Sequence, residues 1–156
     1  MARRSRAQRR EVDPDIRYNS RGVTKFINRM MRGGKKSIAR RIMYDAMDIA
    51  ESRANKPAME VFNDAMRNVM PPVEVKPRRV GGATYQIPVE VQEYRQLSLA
   101  IRWLLRAARN RPGRDMHNKL AAELVDAANG TGAAVRRREE TVRMAEANRA
   151  FAHLRW

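Results

Sequence analysis

Apolar residues recur with the period of an α-helix along most of the chain. The first such helix has one apolar face, formed by Val23, Phe26, Ile27, Met30 and Met31. These are the i, i+3, i+4, i+7 and i+8 positions of an amphipathic helix. Asn19 or Ser20 is suited to cap its start, and Gly33-Gly34 to end it. The sequence therefore predicts a helix that begins close to residue 20.

The same period predicts five more helices. They run from about Lys36 to Ala54, from Pro57 to a stop at Pro71-Pro72, from Gln92 to Asn110, from Asp115 to Asn129-Gly130, and onwards from about Thr131. In the second helix the predicted inward residues are Ile38, Ile42, Met43, Ala46, Ile49 and Ala50. The expected fold class is mainly α, with six helices in a bundle-like domain.

The fourth predicted helix has two apolar stripes. One comprises Tyr94, Leu97, Ile101, Leu104, Leu105 and Ala108, whereas Leu99 and Trp103 fall on the opposite side. A helix that is apolar all round is normally part of a core, so we expect a central helix that is buried on both faces. An exposed Trp103 that contacts a partner is the alternative interpretation.

Residues 71–91 are the one stretch with the pattern of β-strands. Two runs of β-branched residues, each interrupted by prolines, meet at Gly81-Gly82. Glycines supply the positive φ angles that a tight reversal needs, so we predict a two-stranded ribbon between the third and fourth helices. The base of the ribbon is aliphatic and its tip is basic. We therefore expect the base to pack on the helices and the tip to project.

The register of this ribbon depends on its loop. A two-residue loop at Gly81-Gly82 would place Glu74 opposite Val89 and mix unlike residues on one face. We therefore expect a three-residue loop or a bulge. That register would bring Val73, Val75 and Pro77 onto the same face as Tyr85, Ile87, Val89 and Val91.

The net charge of the chain indicates the class of its partner. The chain of 156 residues has 33 Lys and Arg against 17 Asp and Glu, which gives a formal net charge of +16. An excess of this size favours a polyanionic partner, with nucleic acid the first candidate. The sequence has no cysteine and two histidines, and it has no apolar run long enough for a membrane span. We expect a single, soluble, intracellular domain that is monomeric when free.

The cations are concentrated towards the start of the chain. We divide the chain into a basic arm, residues 1–18, and a helical domain, residues 19–156, with the ribbon 72–91 inserted. Over residues 1–41 the 14 Lys and Arg exceed the acidic residues by 11. Such a density of like charge is costly without a counter-charge, so RNA or DNA binding is a better interpretation than a solubilising tail.

Three groups of cations are candidate phosphate-binding residues. They are Arg3, Arg4, Arg6, Arg9 and Arg10 in the arm; Lys35, Lys36, Arg40 and Arg41 around the start of the second helix; and Arg109, Arg111 and Arg114 in the loop after the fourth. Cations at a helix N-terminus oppose the helix dipole unless a phosphate lies there. The loop arginines have no nearby acidic partner before Asp115, which favours phosphate binding over simple solvation. In the ribbon we expect Lys76, Arg78, Arg79, Gly81, Gly82 and Tyr85 to face RNA.

The sequence leaves more than one interpretation open for two segments. The cluster at 136–140 is rich in arginine and glutamate, and pairing along one helix makes an ordinary solvated face about as good an interpretation as RNA binding. The aromatic and basic tail, residues 151–156, is suited to pack on the body, to stack on a base, or both. No acid–base pair, nucleophile motif or metal-ligand spacing is present, so we expect no enzyme activity, no cofactor and no metal.

Several motifs in order resemble one known family. They are Arg32-Gly33-Gly34-Lys35-Lys36, the block from Arg78 to Val91 (RRVGGATYQIPVEV), and the ending from Arg143 to Trp156 (RMAEANRAFAHLRW). Together with the basic start, they closely resemble the bacterial family of small-subunit ribosomal protein number seven. The resemblance covers essentially the whole chain.

The resemblance implies six helices with a ribbon between the third and fourth. It also implies direct binding to the 3′ major domain of small-subunit ribosomal RNA and an early role in assembly of the subunit head. The ribbon would lie near exit-site tRNA and the outgoing mRNA, beside other head and platform proteins. The protein would be cytoplasmic and ribosome-bound.

Two other classes of function compete with this one. A DNA-architectural protein with β-arms also carries arginines and a proline near the arm tip, but the long helical body counts against it. An RNA-processing enzyme is disfavoured because the sequence lacks an acid–base or metal constellation.

Overall fold

The computed structural model of the protein describes residue 8 and residues 10–154. Along this part of the chain lie α1 (Arg21–Met30), α2 (Lys36–Ala54), α3 (Ala58–Val69), β1 (Val73–Val80), β2 (Ala83–Glu90), α4 (Glu93–Asn110), α5 (Met116–Ala128), α6 (Ala133–Ala147) and a 3-10 helix (Arg149–Leu154). This order confirms the predicted mainly α fold with a β-ribbon between the third and fourth helices.

The core forms around α5, which contacts α2, α3, α4 and α6. Its buried apolar residues are Leu120, Ala121, Leu124 and Ala127. Two of these four are alanines, whose small side chains let neighbouring helices approach closely. Four helices are therefore packed around α5 as a shared apolar centre.

Helix α4 is buried on two sides, as the sequence predicts. Leu104 and Leu105 lie in the core, and Leu99, from the opposite stripe, is also buried. Trp103 is partly buried and packs against the same core. The interpretation of α4 as a central helix is confirmed, and Trp103 is not an exposed contact residue.

Two residues predicted to point inwards are exposed instead. Ile38 is 52% exposed and Tyr94 is 45% exposed. Each lies in the first turn of its helix, at the edge of the body, where it lines an open cavity. Helical period alone predicted these positions wrongly because the apolar stripe of each helix extends one turn beyond the residues that cover it.

The rotation of α1 is fixed by its apolar face. Val23, Phe26 and Ile27 are almost completely buried, and the rings of Phe26 and Phe62 meet edge to face with centroids 5.8 Å apart. The Ser20 hydroxyl accepts the N–H of Val23 at 3.4 Å and so caps the helix. These contacts turn the polar side of α1 towards solvent.

The end of the predicted arm is tied to α2. The buried carboxylate of Asp15 accepts the N–H groups of Arg17 and Tyr18 at 3.0 and 3.1 Å, and the hydroxyl of Tyr44 at 2.8 Å. The guanidinium of Arg17 reaches both carboxylate oxygens of Asp48, at 2.6 and 3.1 Å. Residues 15–18 therefore have a fixed position on the helical body.

The ribbon has a two-residue loop, so the expected odd loop or bulge is wrong. Val80 pairs with Ala83, and Glu74 pairs with Val89. Gly81 and Gly82 both have positive φ, 58° and 88°, as a type I′ turn requires. The sequence disfavours this register, because it mixes unlike residues on one face.

Glu74 explains why that register is stable. The Arg95 guanidinium donates to both Glu74 carboxylate oxygens at 2.7 and 2.8 Å, and the Lys76 ammonium lies 3.3 Å away. Burial raises the pKa of Glu74, but the hydrogen bonds from Arg95 and Lys76 outweigh this and hold it below its ordinary value. A paired carboxylate can share a packed face with Val89 and Ile87, whereas an unpaired one cannot.

The base of the ribbon packs on the body and its turn is exposed, as expected. Ile87 and Val91 are buried, and β1 and β2 contact α6. Nearer the tip, the rings of Tyr85 and Phe151 lie 5.2 Å apart. The 3-10 helix near the end of the chain therefore supports β2, which settles the packing of Phe151.

The Glu74–Arg95 pair predicts a pH-dependent stability of the ribbon. Glu74→Gln removes the charge that Arg95 and Lys76 stabilise, and we expect it to weaken the ribbon by about 1–2 kcal/mol at neutral pH. Because the pKa of Glu74 is lowered by folding, this contribution is present above the ordinary glutamate range and is lost as the pH falls below it. Hydrogen exchange of the ribbon amides measures the difference.

The matched control is Glu90→Gln. Glu90 is an exposed carboxylate on β2, and its loss should leave hydrogen exchange unchanged. Equal exchange rates in wild type and Glu74→Gln at neutral pH would contradict the role given to this ion pair.

Candidate nucleic-acid interface

Helix α1 carries a stripe of cations on its solvent side. Lys25 and Arg29 lie on the helix and Arg32 lies two residues beyond its end, at i, i+4 and i+7 spacing. All three are exposed, because the buried apolar residues occupy the other side of the helix. We call these residues the α1 stripe.

Helix α4 has a matching stripe. Arg102, Arg106 and Arg109 recur at the same i, i+4 and i+7 spacing and are exposed. Their rotation is set by the neighbouring Leu104 and Leu105, which point into the core. We call these arginines the α4 stripe.

The two stripes meet in one groove. Arg29 from α1 and the three arginines of the α4 stripe line a cavity of about 270 Å³, together with Leu105 and Asn110. No carboxylate stands among the described residues that line it. We call this cavity the arginine groove, and its chemistry is that of a site for phosphate groups.

The electrostatics of Arg109 show how closely these cations are held. Burial, and then repulsion from Arg32 and Arg29, lowers the pKa of Arg109 from its ordinary value. The guanidinium still remains charged at any physiological pH. The fold therefore holds like charges near one another, and a bound anion would relieve the repulsion.

Neighbouring cavities extend this surface in two directions. Towards α2, Arg32, Lys35 and Arg109 line a cavity of about 320 Å³ whose apolar lining includes Ile38 and Met116. Towards the start of the chain, Arg10, Lys25 and Arg29 line a groove of about 450 Å³. Because Arg29 and Arg109 each belong to two cavities, these three cavities form one continuous basic face.

The predicted cations near the start of α2 divide between two places. Lys35 joins the basic face, whereas Lys36 and Arg40 line an adjoining cavity beneath the N-terminal segment, which shares Arg10 with the groove beside Lys25. Acidic residues, including Asp13 and Asp15, also line that cavity. The Nε of Arg40 is buried with no hydrogen-bond partner among the described residues. Arg41 is exposed.

The N-terminal arm is only partly described. Arg10 lines the groove beside Lys25 and Arg29. The predicted RNA contacts at Arg3, Arg4, Arg6 and Arg9 lie outside the described residues.

Arg111 has a different environment from the one expected. Its Nε donates to Glu123 at 2.7 Å, and its Nη2 is paired with Asp126. Burial lowers the pKa of Arg111, but the hydrogen bonds to Asp126 and Glu123 outweigh this and raise it. The premise that the loop arginines have no acidic partner is therefore wrong for Arg111, which fastens the loop to α5. Arg109 and Arg114 are exposed on either side of it.

Glu123 connects the ion pair with Arg111 to α6. Its carboxylate is 1% exposed and also accepts the N–H of Ala134 at 3.0 Å. The acids that pair with Arg111 lie 12 and 15 residues further along the chain. Inspection of neighbouring residues alone could not reveal the partners.

The ribbon residues predicted to face RNA differ in their exposure and in their contacts within the protein. Arg78 and Arg79 are exposed near the turn at Gly81-Gly82. Lys76 is exposed but is paired with Glu74. Tyr85 is partly buried because its ring packs against Phe151. The two arginines and the glycine turn are thus the part of the ribbon with open access to a partner.

Sequence reasoning predicted Arg109 but missed the other residues of the α1 and α4 stripes, although a signal was present. Both repeat a cation at i, i+4 and i+7 with no acidic residue at pairing distance along the helix. In residues 136–140, by contrast, glutamates follow the arginines at pairing distance along the helix, and Arg137 is paired with Glu140. What the sequence did not show is that the two stripes lie side by side.

Metal-ligand clusters and membrane-spanning helices are both lacking among the described residues. No group of three or more His, Asp or Glu is placed there to hold a metal ion. None of the helices in this part of the chain has the length and apolar character needed to cross a membrane.

Comparison with known proteins decides the family. A model of the family ribosomal protein S7p/S5e matches residues 2–149. The chain belongs to the ribosomal protein S7p/S5e family. This confirms the resemblance stated from the sequence motifs, and it makes the chain a structural ribosomal protein and not an enzyme.

Individual members of the S7p/S5e family are similar over their full length. Small ribosomal subunit protein uS7 of Acaryochloris marina is 62% identical, with 100% of both chains covered. The proteins of the same name from Chloroflexus aurantiacus and Thermomicrobium roseum are 58% and 55% identical, covering 98% and 100% of both chains.

The ion pair between Arg111 and Glu123 predicts that two substitutions which remove the same charge from this loop differ in their effect on stability. Arg111→Gln leaves Glu123 buried and unpaired, and we expect it to lower the free energy of unfolding by about 3–5 kcal/mol. Arg114→Gln removes the same charge from the same exposed loop and should change stability by less than about 0.5 kcal/mol. Urea unfolding of both variants measures these values.

A second substitution tests the mechanism of that loss. Adding Glu123→Gln to Arg111→Gln removes the buried charge and should restore part of the stability. If Arg111→Gln proves as stable as Arg114→Gln, Arg111 does not fasten the loop.

Proposed function

We propose that this chain binds small-subunit ribosomal RNA directly, through the basic face that joins the α1 and α4 stripes. The observation that carries the proposal is the arginine groove. Four arginines from two helices line one cavity, and no carboxylate among the described lining residues neutralises them. The names of the relatives support the RNA partner, since they are components of the small ribosomal subunit.

The shape of the face fits the backbone of folded RNA. Cations at i, i+4 and i+7 spacing are about 6 and 10.5 Å apart along a helix axis. A row of this kind can contact successive phosphates, and two neighbouring rows can contact two strands. Phosphate contacts of this kind position RNA by its shape and make affinity strongly dependent on salt.

Other basic residues extend the proposed contact. Arg10 adjoins the basic face directly, and we assign Arg3, Arg4, Arg6 and Arg9 to the same RNA. Lys35 and Lys36 flank the start of α2, which has no acidic residue in its first turn and no side-chain cap. Backbone N–H groups and lysines there can share a phosphate. Arg114 is assigned to phosphate contacts. Arg111 fastens the loop that carries Arg114 to α5.

The finer placement within the subunit follows from the family resemblance. We propose that the RNA is the 3′ major domain, that the protein acts early in assembly of the subunit head, and that head and platform proteins adjoin it. We propose that the ribbon lies near exit-site tRNA and the path of the outgoing mRNA. The exposed turn at Gly81-Gly82, flanked by Arg78 and Arg79, supports this role because glycines let a nucleic-acid backbone approach closely.

The salt dependence of binding tests the proposed face. With a fragment of the 3′ major domain, Arg29→Gln and Arg106→Gln should each weaken binding and lower the slope of log K against log salt by about 0.7–0.9. The double variant should lower the slope by roughly twice that amount. Filter binding over a series of salt concentrations gives these slopes.

Arg67→Gln is the matched control. It removes one exposed arginine of α3 that is paired with Asp64, so the slope should not change. An unchanged slope in the double variant would contradict the proposal. Equally tight binding of random duplex DNA would favour the DNA-architectural alternative.

A further inference from the structure

The cavity at the α2 end of the basic face differs from the arginine groove because its walls are mostly apolar. It has a volume of about 320 Å³ and is lined by residues of α1, α2, α4 and α5 and of the loop after α1. Its apolar walls are Met30, Met31, Ile38, Ala39, Ile42 and Met116. Half of these residues are methionines, so we call it the methionine pocket. An apolar site therefore adjoins a surface that is suited to phosphates.

The methionine pocket is open to solvent beside Ile38. Ile38 is 52% exposed and is one of four exposed large hydrophobic residues in the described part of the chain. Met31, Ile42 and Met116 are only partly buried around it. A ligand that covers these side chains removes apolar surface from water, which favours its binding.

Three cations complete the lining of the pocket. They are Arg32, Lys35 and Arg109. The described residues that line the pocket include no carboxylate and no neutral polar side chain. The chemistry of the pocket therefore suits a ligand that combines negative charge with an apolar or flat group, and that needs no hydrogen bond from a neutral side chain.

The methionines favour an aromatic group. Thioether sulfur makes favourable contacts with aromatic rings, and the flexible methionine side chain adapts to the shape of its partner. An apolar cavity of about 150 Å³ holds one benzene ring, so a pocket of about 320 Å³ has room for a nucleobase. The polar edge of the base stays at the open side, where water satisfies its hydrogen bonds.

We propose that the methionine pocket binds one unpaired base of the RNA that occupies the arginine groove. The face of the base packs on Met31, Ile38 and Met116, and the adjacent phosphates contact Arg32 and Arg109. Bases within a duplex are already stacked and present no free face, whereas a base from a loop or bulge can enter. Because no neutral side chain of the lining reads the base edge, the pocket selects an unpaired base by its position and not by its identity.

Continuity with the arginine groove favours RNA over an acidic protein segment. Arg109 lines both cavities, so a phosphate that Arg109 holds in the arginine groove brings the next nucleotide to the methionine pocket. An acidic segment would compete with that phosphate for the same guanidinium. The inference rests on the proposed RNA binding and adds to it a contact with a base.

Substitution of Ile38 tests the apolar contact without a change of charge. Ile38→Ala removes the exposed wall of the pocket, and its affinity for the 3′ major-domain fragment should fall by about 5- to 10-fold, the loss expected for the apolar area that the base covers. Ile38→Leu keeps that area and should stay within about twofold of wild type. Neither variant should change the salt slope, because no phosphate contact is lost.

Ile49→Ala is the matched control. It makes the same change on the same helix, about 16 Å from Ile38 along the axis, and it should bind the fragment as tightly as wild type. Thermal melts confirm that each variant is folded. Full affinity of Ile38→Ala would overturn the inference and leave the proposed RNA binding intact, whereas wild-type protein that fails to bind the fragment would refute both.

Photocrosslinking identifies the occupant, because the chain has no natural cysteine. An azidophenacyl group on the thiol of Ile38→Cys should crosslink to an unpaired nucleotide of the bound fragment. Removal of that one base should weaken binding of wild type about as much as Ile38→Ala does, and should weaken binding of Ile38→Ala little further.

Three results of this experiment would overturn the inference. The first is a crosslink to a base-paired nucleotide. The second is a pair of losses that multiply when the base and the Ile38 side chain are both removed. The third is a crosslink in reconstituted subunits that goes only to another ribosomal protein, which would show a protein occupant.

Discussion

The basic face depends on apolar packing that holds like charges together. Val23, Phe26 and Ile27 fix the rotation of α1, and Leu104 and Leu105 fix that of α4. With these residues in the core, the cationic stripes have to lie on the solvent side and meet along one groove. Burial, and then repulsion from Arg32 and Arg29, lowers the pKa of Arg109. Hydrophobic burial offsets the repulsion between these cations in the free protein, and bound phosphates would remove it.

Ion pairs within the fold hold its segments in place, which distinguishes them from the cations of the basic face. Arg95 neutralises Glu74 on a packed face of the ribbon, and Arg111 neutralises Glu123 beneath the loop after α4. Arg17 fastens the N-terminal segment to Asp48. Arginines therefore have two roles in this protein. Arg17, Arg95 and Arg111, which have carboxylate partners, hold the N-terminal segment, ribbon and loop in place, and the four arginines of the arginine groove form part of the candidate RNA surface.

The helices could be predicted from the sequence because helical period and capping residues are local signals. The predicted bounds of α2, 36–54, agree with the structure, and the ribbon was placed correctly between α3 and α4. Its register was predicted wrongly because Glu74 opposite Val89 places a charged residue and an apolar residue on one face. The residue that makes its burial favourable is Arg95, which is 21 positions away in sequence.

The candidate site was less predictable for the same physical reason. The partners of Arg111 and the alignment of the two stripes depend on how α1, α4 and α5 pack, which no local pattern records. Exposure of Tyr94 and Ile38 likewise depends on where neighbouring helices end. The total charge predicted a polyanionic partner well, but it pointed to the first 41 residues. The structure adds α4, whose three aligned arginines complete the basic face.

Directed cleavage of RNA from a tethered iron chelate tests the central claim most directly, because the chain has no natural cysteine. Asn110→Cys places the probe at the arginine groove. Ser52→Cys places it on the exposed far end of α2, about 24 Å along the helix from Lys36. We expect hydroxyl radicals from position 110 to cleave the bound 3′ major domain strongly, and those from position 52 weakly. Equal cleavage from both positions, or stronger cleavage from position 52, would contradict binding on the face formed by α1 and α4.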